Sequence, residues 1–326
     1  MRALQFSAFG KPADVLELVD FPEPEPKEGQ VRVRLSHRPI NPSDLLYIQG
    51  KYGIIPNLPA IPGFEGAGLV DKVGKGVSGV AMKQRVVPMG VSGTWRGSVI
   101  AREGQLTPVP DNVSDQAAAQ LGVNPVTAWV MITRELDVKP GEWLLQTAAG
   151  STLGRLVLQL AKVRGFKTIN FVRRRDQVQE ILDLGADAVI CTEDPDPVGE
   201  VMKITRGQGV HAAIDAVGGQ TGGRAAKCLR TGGTMLVYGL LSEERIPLDS
   251  GDMIFKGSTV RGFWLSRWYL NTPANDVQAT IREVIKMMGT GRLAPPVEKE
   301  YDLGNFKAAI AHAEQPGRSG KVLLTG

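Results

Sequence analysis

Hydrophobic and polar positions alternate in short runs over about the first 120 residues. The run QVRVRLS, at residues 30–36, has Val31, Val33 and Leu35 at every second position. Because successive side chains of a strand point to opposite faces, these three predict one buried face of a β-strand. Proline and glycine turns separate this run from others like it, which is typical of a β-rich domain.

A second pattern begins within TAWVMITRELDVKPGEWLL, at residues 127–145, where apolar strands start to alternate with segments of helical period. In the first such segment, Leu153, Leu156 and Leu160 recur at helical spacing. Strands that alternate with helices in this way predict right-handed β–α–β units in a parallel sheet. The last stretch, residues 294–326, returns to mixed polar character.

We therefore expect an α/β chain of two domains, and the length of 326 residues favours the same division. The β-rich domain is expected at residues 1–121 with 293–326. The parallel-sheet domain is expected at residues 122–292.

Composition is that of a soluble globular protein, since 42% of the residues are apolar and 22% are charged. The net charge of +4 is slight and its basic and acidic residues are interspersed, so nucleic acid is not expected as a partner. No apolar run is long enough to span a bilayer, and the residues after Met1 show neither a signal-peptide nor a transit-segment pattern, so we expect no such segment. Cys191 and Cys228 lie in apolar segments and suggest neither a disulfide framework nor a zinc cluster. We expect a cytosolic protein with no membrane partner.

A small-residue turn, TAAGSTLG at residues 147–154, lies between a strand that ends at Gln146 and a helix expected from near Leu153. Dinucleotide-binding folds place pyrophosphate on a helix N-terminus at this position. The turn departs from the usual glycine spacing, because Ser151 and Thr152 stand where glycines are common. Their hydroxyl and amide groups can still bind phosphate, and an ordinary tight turn is the alternative.

Three arginines, Arg173, Arg174 and Arg175, follow the next predicted strand in NFVRRRDQ. They lie about 20 residues beyond Gly154, where such folds read the ribose and where an NAD enzyme would need an acidic residue. Three cations just before a helix N-terminus oppose the helix dipole unless an anion offsets them. A 2′-phosphate is such an anion, so the cluster predicts NADPH, with a solvated run of charge as the alternative.

The order of these features resembles the medium-chain dehydrogenase/reductase superfamily, also through PGFEGAGLVDKVGKGVSG at residues 62–79 and LGVNPVTAW at 121–129. The resemblance covers essentially the whole chain and implies a GroES-like catalytic domain and a Rossmann-type, doubly wound cofactor domain. Zinc members carry a cysteine near Asn41 and a histidine in a Gly-His-Glu motif, which here reads Gly-Phe-Glu at residues 63–65. With three histidines and no paired cysteines in the chain, we expect no metal site.

Within the superfamily, the sequence looks most like the mitochondrial-type 2-enoyl thioester reductases. Five motifs carry this resemblance in order: INPSDLLYIQGKYG (40–53), GTWRG (93–97), LGVNP (121–125), NFVRRRDQ (170–177) and RGFWLSRW (261–268). Zinc-free NADPH:quinone oxidoreductases share the superfamily elements and are the alternative, although we do not expect them to share both GTWRG and FWLSRW. A third hypothesis is a protein that keeps the fold and nucleotide site but serves as a binding or structural module.

The resemblance implies NADPH-dependent reduction of the 2,3 double bond of a trans-2-enoyl thioester. Hydride would pass to the β carbon and a proton to the α carbon, while negative charge develops on the thioester oxygen. In the family the tyrosine at the position of Tyr52 is the proton donor, and an un-ionised phenol is able to serve. Tyr47, or a packing role for Tyr52, is the alternative. Asn41 is a further candidate at the substrate, while Trp95 and Arg96 are expected either to line the acyl entrance or to pack in the interior.

The same resemblance implies the cofactor-binding residues. Asn124 is expected on the nicotinamide side, and Arg174 is a departure because the family's second residue in that triplet is typically acidic. For the aromatic members, core packing is the alternative. The full expected set is Asn124, Gly150, Ser151, Thr152, Leu153, Arg173, Arg174, Arg175, Tyr238, Gly239, Phe263, Trp264, Leu265 and Lys321.

The expected partner is an acyl thioester carried on coenzyme A or on acyl carrier protein, since scattered basic side chains could receive an acidic carrier. The sequence sets neither the acyl chain length nor the choice of carrier. The resemblance further implies a homodimer whose cofactor domains pair edge to edge.

Overall fold

The computed structural model describes every residue from Met1 to Gly326. The chain forms two compact units: unit 1 comprises Met1–Pro125 and Val284–Gly326, and unit 2 comprises Val126–Glu283. The divisions fall after residues 125 and 283, whereas the sequence pattern placed them after residues 121 and 292. Both observed divisions lie inside helices, and an uninterrupted helical pattern carries no local signal of a domain crossing.

Fifteen strands and twelve α-helices build the two units. The strands are β1 (Arg2–Phe6), β2 (Leu16–Asp20), β3 (Gln30–Pro39), β4 (Ala67–Val73), β5 (Arg85–Pro88), β6 (Ser98–Arg102), β7 (Leu106–Pro108), β8 (Trp143–Gln146), β9 (Lys167–Val172), β10 (Ala188–Cys191), β11 (Val210–Asp215), β12 (Leu229–Val237), β13 (Thr259–Gly262), β14 (Val297–Asp302) and β15 (Lys321–Thr325). The helices are α1 (Pro12–Val15), α2 (Pro42–Ile48), α3 (Asp115–Ala119), α4 (Asn124–Val130), α5 (Thr152–Arg164), α6 (Gln177–Asp183), α7 (Pro197–Ile204), α8 (Gly219–Lys227), α9 (Ser250–Phe255), α10 (Leu265–Asn271), α11 (Ala274–Gly289) and α12 (Phe306–Glu314).

The main sheet of unit 1 has the strand order β14-β15-β3-β4-β5-β7, with β6 paired to β3 and a separate antiparallel ribbon of β1 and β2. The face predicted from Val31, Val33 and Leu35 is buried, and it packs against apolar side chains of β4, β5 and β6. A second apolar cluster joins β1, α2, α12 and β15. The prediction of a β-rich first region is confirmed.

Unit 2 is built on a six-stranded parallel sheet of order β10-β9-β8-β11-β12-β13. This is the doubly wound order of dinucleotide-binding folds, in which the chain order reverses between β8 and β11. Helix α5 shows why the periodic pattern was readable, because Leu153, Leu156 and Leu160 are all buried. Gly165 ends the helix at φ 75°, a left-handed conformation that glycine adopts at little cost. The predicted α/β architecture is confirmed.

Candidate active site

Unit 2 collects most of the expected cofactor-binding residues at one edge of its sheet. Because the six strands are parallel, the segments after their carboxyl ends lie along the same edge. Residues 147–153 follow β8, Arg173–Arg175 follow β9, Tyr238 and Gly239 follow β12, and Phe263–Leu265 follow β13. The fold therefore brings together segments that the sequence keeps far apart.

The turn after β8 leads into a capped helix N-terminus. Helix α5 begins at Thr152, and the Gly154 backbone N–H donates to the hydroxyl of the capping residue, Ser151, at 3.1 Å. The first N–H groups of a helix have no partner within it and can bind an anion. A Cβ at position 154 would lie 2.4 Å from the Ala149 carbonyl oxygen, so this close passage requires glycine.

A buried network holds the ends of β8 and β11 together where the chain order reverses. The Thr147 hydroxyl donates to Asp215 Oδ1 at 2.7 Å, and the Ala216 backbone N–H donates to Thr147 Oγ1 at 2.9 Å. Asp215 also accepts from the backbone N–H groups of Val217 and Gly218. Sequence reasoning missed both Thr147 and Asp215, although a polar residue directly at the end of an apolar strand was the available signal.

The three arginines after β9 differ in their partners. Arg174 pairs with Asp176 at 3.1 Å, and Arg175 pairs with Asp194. Arg173 is exposed and takes part in no ion pair. Two of the three charges are therefore already offset by carboxylates, and Arg173 is the one available to an external anion.

Backbone contacts and burial hold the segments that follow β12 and β13. The Tyr238 N–H donates to the Asp215 carbonyl oxygen at 2.9 Å. A Cβ at Gly239 would lie 2.7 Å from the carbonyl oxygen of Ala216, so the chain passes closely there. Of the residues 263–265, only Phe263 is buried, and the other two are half-buried.

Unit 1 contains a polar cluster drawn from four parts of the chain, which we call the Asn41 cluster: Asn41, Asp44, Glu65, Asn124 and Lys321. Asn41 caps α2, and Asp44 Oδ2 accepts from its backbone N–H at 2.7 Å. Asn41 Nδ2 donates to Glu65 Oε1 at 2.7 Å, and Asn124 Nδ2 donates to Asn41 Oδ1 at 3.2 Å. Lys321, the first residue of β15, brings an ammonium charge that acts on both carboxyl groups. All but the half-buried Asn124 are buried.

Burial moves each ionisable group of the Asn41 cluster towards its neutral form. It raises the pKa of Asp44 to about 7 and that of Glu65 to about 8, and it lowers the pKa of Lys321 to about 8. Hydrogen bonds from Asn41 and the charge of Lys321 oppose the two carboxyl shifts. Ionisable groups held so far from water with specific partners are typical of functional sites. Sequence reasoning missed Glu65 as a site residue and treated Asp44 as turn chemistry.

Tyr52 lies on the loop after α2, half-buried beside an aromatic ring. Its ring centroid is 5.2 Å from that of Phe64, which in turn lies 5.1 Å from the ring of Tyr47. Tyr47 belongs to α2 and packs against the apolar core, and burial raises its pKa. Tyr52 instead follows Gly50, whose φ of 70° turns the chain out of the helix. The two tyrosines therefore have different settings, one in the core and one on a loop.

Trp95 packs in the core of unit 1. Its side chain is 0% exposed and belongs to the same apolar cluster as Phe6 and Ile48. Its Nε1–H donates to the Pro39 carbonyl oxygen at 3.4 Å. Of the two alternatives for Trp95, the structure shows packing in the interior. Arg96 is half-buried, and burial lowers its pKa.

Residues that are not zinc ligands occupy the positions at which the resemblance places zinc ligands. Asn41 bonds to Glu65 there, and the ring of Phe64 lies beside that of Tyr52 with their planes tilted by 42°. No three or more His, Cys, Asp or Glu side chains are grouped so that they could hold a metal ion. No helix combines the length and apolar character needed to cross a bilayer.

The chain combines two units of different kinds. One is doubly wound and carries a helix-terminal turn and an unpaired arginine, and the other is β-rich and buries a polar cluster. This combination defines a two-domain dehydrogenase or reductase. Family comparison supports this class: the alcohol dehydrogenase GroES-like domain matches residues 27–111, and the zinc-binding dehydrogenase family matches residues 152–288. The chain belongs to the medium-chain dehydrogenase/reductase superfamily.

Individual relatives sharpen this assignment. The chain is 35% identical to the mitochondrial enoyl-[acyl-carrier-protein] reductase of Rattus norvegicus, over 100% of this chain and 88% of the relative. A Bacillus thuringiensis structure assigned as an NADPH:quinone reductase is 36% identical, with a TM-score of 0.92 over 100% of this chain and 98% of the other. A structure of Etr1p with NADP and crotonyl-CoA is 26% identical, with a TM-score of 0.89 over 100% and 99% of the two chains. The resemblance predicted from the motifs is confirmed.

Proposed function

We propose that the protein is an NADPH-dependent reductase of trans-2-enoyl thioesters carried on coenzyme A or on acyl carrier protein. The observation that carries the proposal is the loop phenol of Tyr52, whose ring lies 5.2 Å from that of Phe64. Position 64 is where the resemblance places a zinc-binding histidine. A full-length relative is named as an enoyl-[acyl-carrier-protein] reductase. Unit 1 therefore offers a proton donor where other members offer a metal site.

The residues of unit 2 fit NADPH. The first turn of α5 offers backbone N–H groups to a pyrophosphate. Arg173 offers an exposed guanidinium to a 2′-phosphate, and NAD would leave that guanidinium without an anion. When bound, the nicotinamide would supply hydride to the β carbon of the substrate.

The protein's own residues would complete the reduction. Tyr52 would donate a proton to the α carbon, since a phenol still holds its proton near neutral pH. The negative charge that develops on the thioester oxygen would have to meet hydrogen-bond donors of the site. Asn124 would hold the nicotinamide side, with Lys321 behind it in the Asn41 cluster.

A second candidate function is NADPH:quinone oxidoreduction. The Bacillus thuringiensis structure favours it, because that protein matches this chain over its full length at 36% identity. Quinone reduction uses the same nucleotide site but has no α carbon to protonate. The role of Tyr52 therefore separates the two functions.

The test is NADPH oxidation with crotonyl and longer trans-2-enoyl thioesters, on coenzyme A and on acyl carrier protein, beside a simple quinone. Each assay is repeated with NADH. We expect thioester turnover with a preference for NADPH. Turnover of quinone alone would move the chain to the second function, and NADPH binding without turnover of any substrate would indicate a binding module.

We further propose a homodimer formed at the edge of the unit 2 sheet. Strand β13 is the last strand of that sheet. The nearby helices α9 and α10 carry Ile254, Phe255 and Leu270, which are 71%, 85% and 84% exposed. A second copy that paired along this edge would cover exposed apolar side chains of this kind. Sedimentation should give a dimer that Phe255→Glu dissociates, and a wild-type monomer would contradict the proposal.

We also propose a cytosolic location. The thiols of Cys191 and Cys228 are buried and form no disulfide, which suits a reducing compartment. Because the rat relative is named as mitochondrial, cell fractionation with antibody detection has to decide between the two compartments.

A further inference from the structure

Side-chain amides have a direction, and the Asn41 cluster contains two of them in series. Asn41 Nδ2 donates to Glu65 Oε1 at 2.7 Å, and Asn41 Oδ1 accepts from Asn124 Nδ2 at 3.2 Å. An amide has one donor end and one acceptor end. Asn124 Nδ2 gives one of its two N–H groups to Asn41, so the acceptor end of Asn124, Oδ1, takes no part in this series.

Glu65 is the residue that sets the direction. It is 2% exposed, and the Thr94 hydroxyl holds its backbone by donating to the Glu65 carbonyl oxygen at 2.7 Å. An ionised carboxylate can only accept hydrogen bonds, so it selects the Nδ2 end of Asn41. Asp44 bonds to the backbone N–H of Asn41, which fixes where Asn41 lies but not which way its amide points.

We infer that Glu65 is a positioning residue: through Asn41 it makes Asn124 present a hydrogen-bond acceptor, and this acceptor selects the amino group of the nicotinamide carboxamide. The inference rests on the proposed use of NADPH and on the expected place of Asn124 at the nicotinamide. Glu65 then touches neither cofactor nor substrate, yet it controls how firmly the carboxamide is held.

The ionisation of Glu65 decides how strict this direction is. A protonated Oε1 can donate to the neighbouring amide, which allows both amides of the series to reverse. The ammonium of Lys321 and the backbone N–H of Val123 favour the carboxylate, the charge of Asp44 opposes it, and Arg318 acts on Lys321. Burial raises the pKa of Glu65 to about 8. The preference for an acceptor at Asn124 therefore strengthens as the pH rises through that region.

The experiment compares the Kd of NADPH with that of its reduced 3-acetylpyridine analogue, whose methyl ketone cannot donate a hydrogen bond. Fluorescence titration gives both Kd values. Contacts that the two nucleotides make in common cancel in the ratio of these values. We expect the wild-type protein to prefer NADPH by about five- to tenfold, the effect of one hydrogen bond. The ratio should grow between about pH 6 and about pH 9.

Two variants that preserve side-chain shape test whether Glu65 causes the preference for NADPH. Glu65→Gln can donate or accept at its amide, so its ratio should fall to near one at every pH. Asp44→Asn removes a buried carboxyl from the same cluster without touching the side chain of Asn41, and it should keep the preference. A Glu65→Gln protein that keeps the wild-type ratio would overturn the inference. If that variant does not fold, the wild-type series decides, because a ratio near one or independent of pH overturns the inference equally.

The outcomes separate this inference from the proposed function. A protein that reduces enoyl thioesters but binds both nucleotides equally overturns the inference and keeps the function. A protein with the expected ratio but no thioester turnover overturns the function and keeps the inference. Absence of NADPH binding overturns both.

Discussion

The two units order their polar groups by different physical means. In unit 2, the features are mainly those of the backbone: a helix N-terminus, the ends of parallel strands, and close passages at Gly154 and Gly239. In unit 1, the features are buried side chains with shifted pKa values, among them Glu65 and Lys321. Binding of the nucleotide phosphates should therefore respond mainly to steric changes and to one surface charge, whereas unit 1 should respond to the loss of single polar atoms and to pH.

The largest expected effect separates chemistry from nucleotide binding. Tyr52→Phe should lower kcat for enoyl thioesters about 100- to 10,000-fold, because it removes a general acid. The Kd of NADPH should be almost unchanged. Tyr47→Phe is the matched control, since it removes a hydroxyl from the other tyrosine that contacts Phe64. Steady-state kinetics and fluorescence titration measure both. Equal losses of turnover and of NADPH binding in Tyr52→Phe would contradict the assignment of proton donation to this residue.

The next effect concerns the surface charge of unit 2. Arg173→Ala should raise the Kd of NADPH about 10- to 100-fold, the worth of a charge-assisted hydrogen bond, and should leave the Kd of NADH unchanged. Arg175→Ala is the control, because Arg175 is already paired with Asp194. If the two variants weaken NADPH binding equally, the arginines act as a diffuse charge and Arg173 has no particular role.

A smaller effect tests the backbone geometry of the phosphate turn. Gly154→Ala places a Cβ 2.4 Å from the Ala149 carbonyl oxygen, so the free energy of unfolding should fall by about 1–3 kcal/mol. NADPH binding should weaken with it. Gly104→Ala is the control, because its Cβ would meet no atom within 4 Å. Urea unfolding measures both, and an unaltered Gly154→Ala protein would show that the turn has room to move.

The last effect is a pH dependence of stability that belongs to unit 1. Burial raises the pKa of Asp44 to about 7 and that of Glu65 to about 8. The folded protein then binds more protons than the unfolded chain at pH values between the ordinary carboxyl pKa and these raised values. Stability from the two carboxyls is therefore greatest in acid and is lost as the pH rises towards about 8. Lys321 has the opposite sign, because its pKa is lowered to about 8, and it restores stability above that pH.

Glu65→Gln should flatten the fall in stability by at most about 1.4 kcal/mol per pH unit, the value of one proton. Asp44→Asn should flatten the fall only up to about pH 7. Urea unfolding over a pH series measures the slopes. Slopes unchanged in both variants would show that the cluster does not titrate on unfolding.

Several features could not have been read from neighbouring residues. The divisions between the two compact units fall inside α4 and α11, which run through them without a break in helical pattern. The choice between wall and interior for Trp95 stayed open, because GTWRG is equally compatible with both. That Arg173 alone lacks a carboxylate partner depends on Asp194, which only the pairing of β9 with β10 brings near Arg175.

The sequence by itself determined the α/β class, the parallel sheet, the turn at residues 147–154, the arginine triplet and the superfamily. These follow from periodicity and from motifs, which are properties of short stretches of chain. Tertiary structure alone decided the Asn41 cluster, whose members come from residues 41–44, 65, 124 and 321. Loss of water and the approach of opposite charges set its pKa values, and both arise only when distant segments meet.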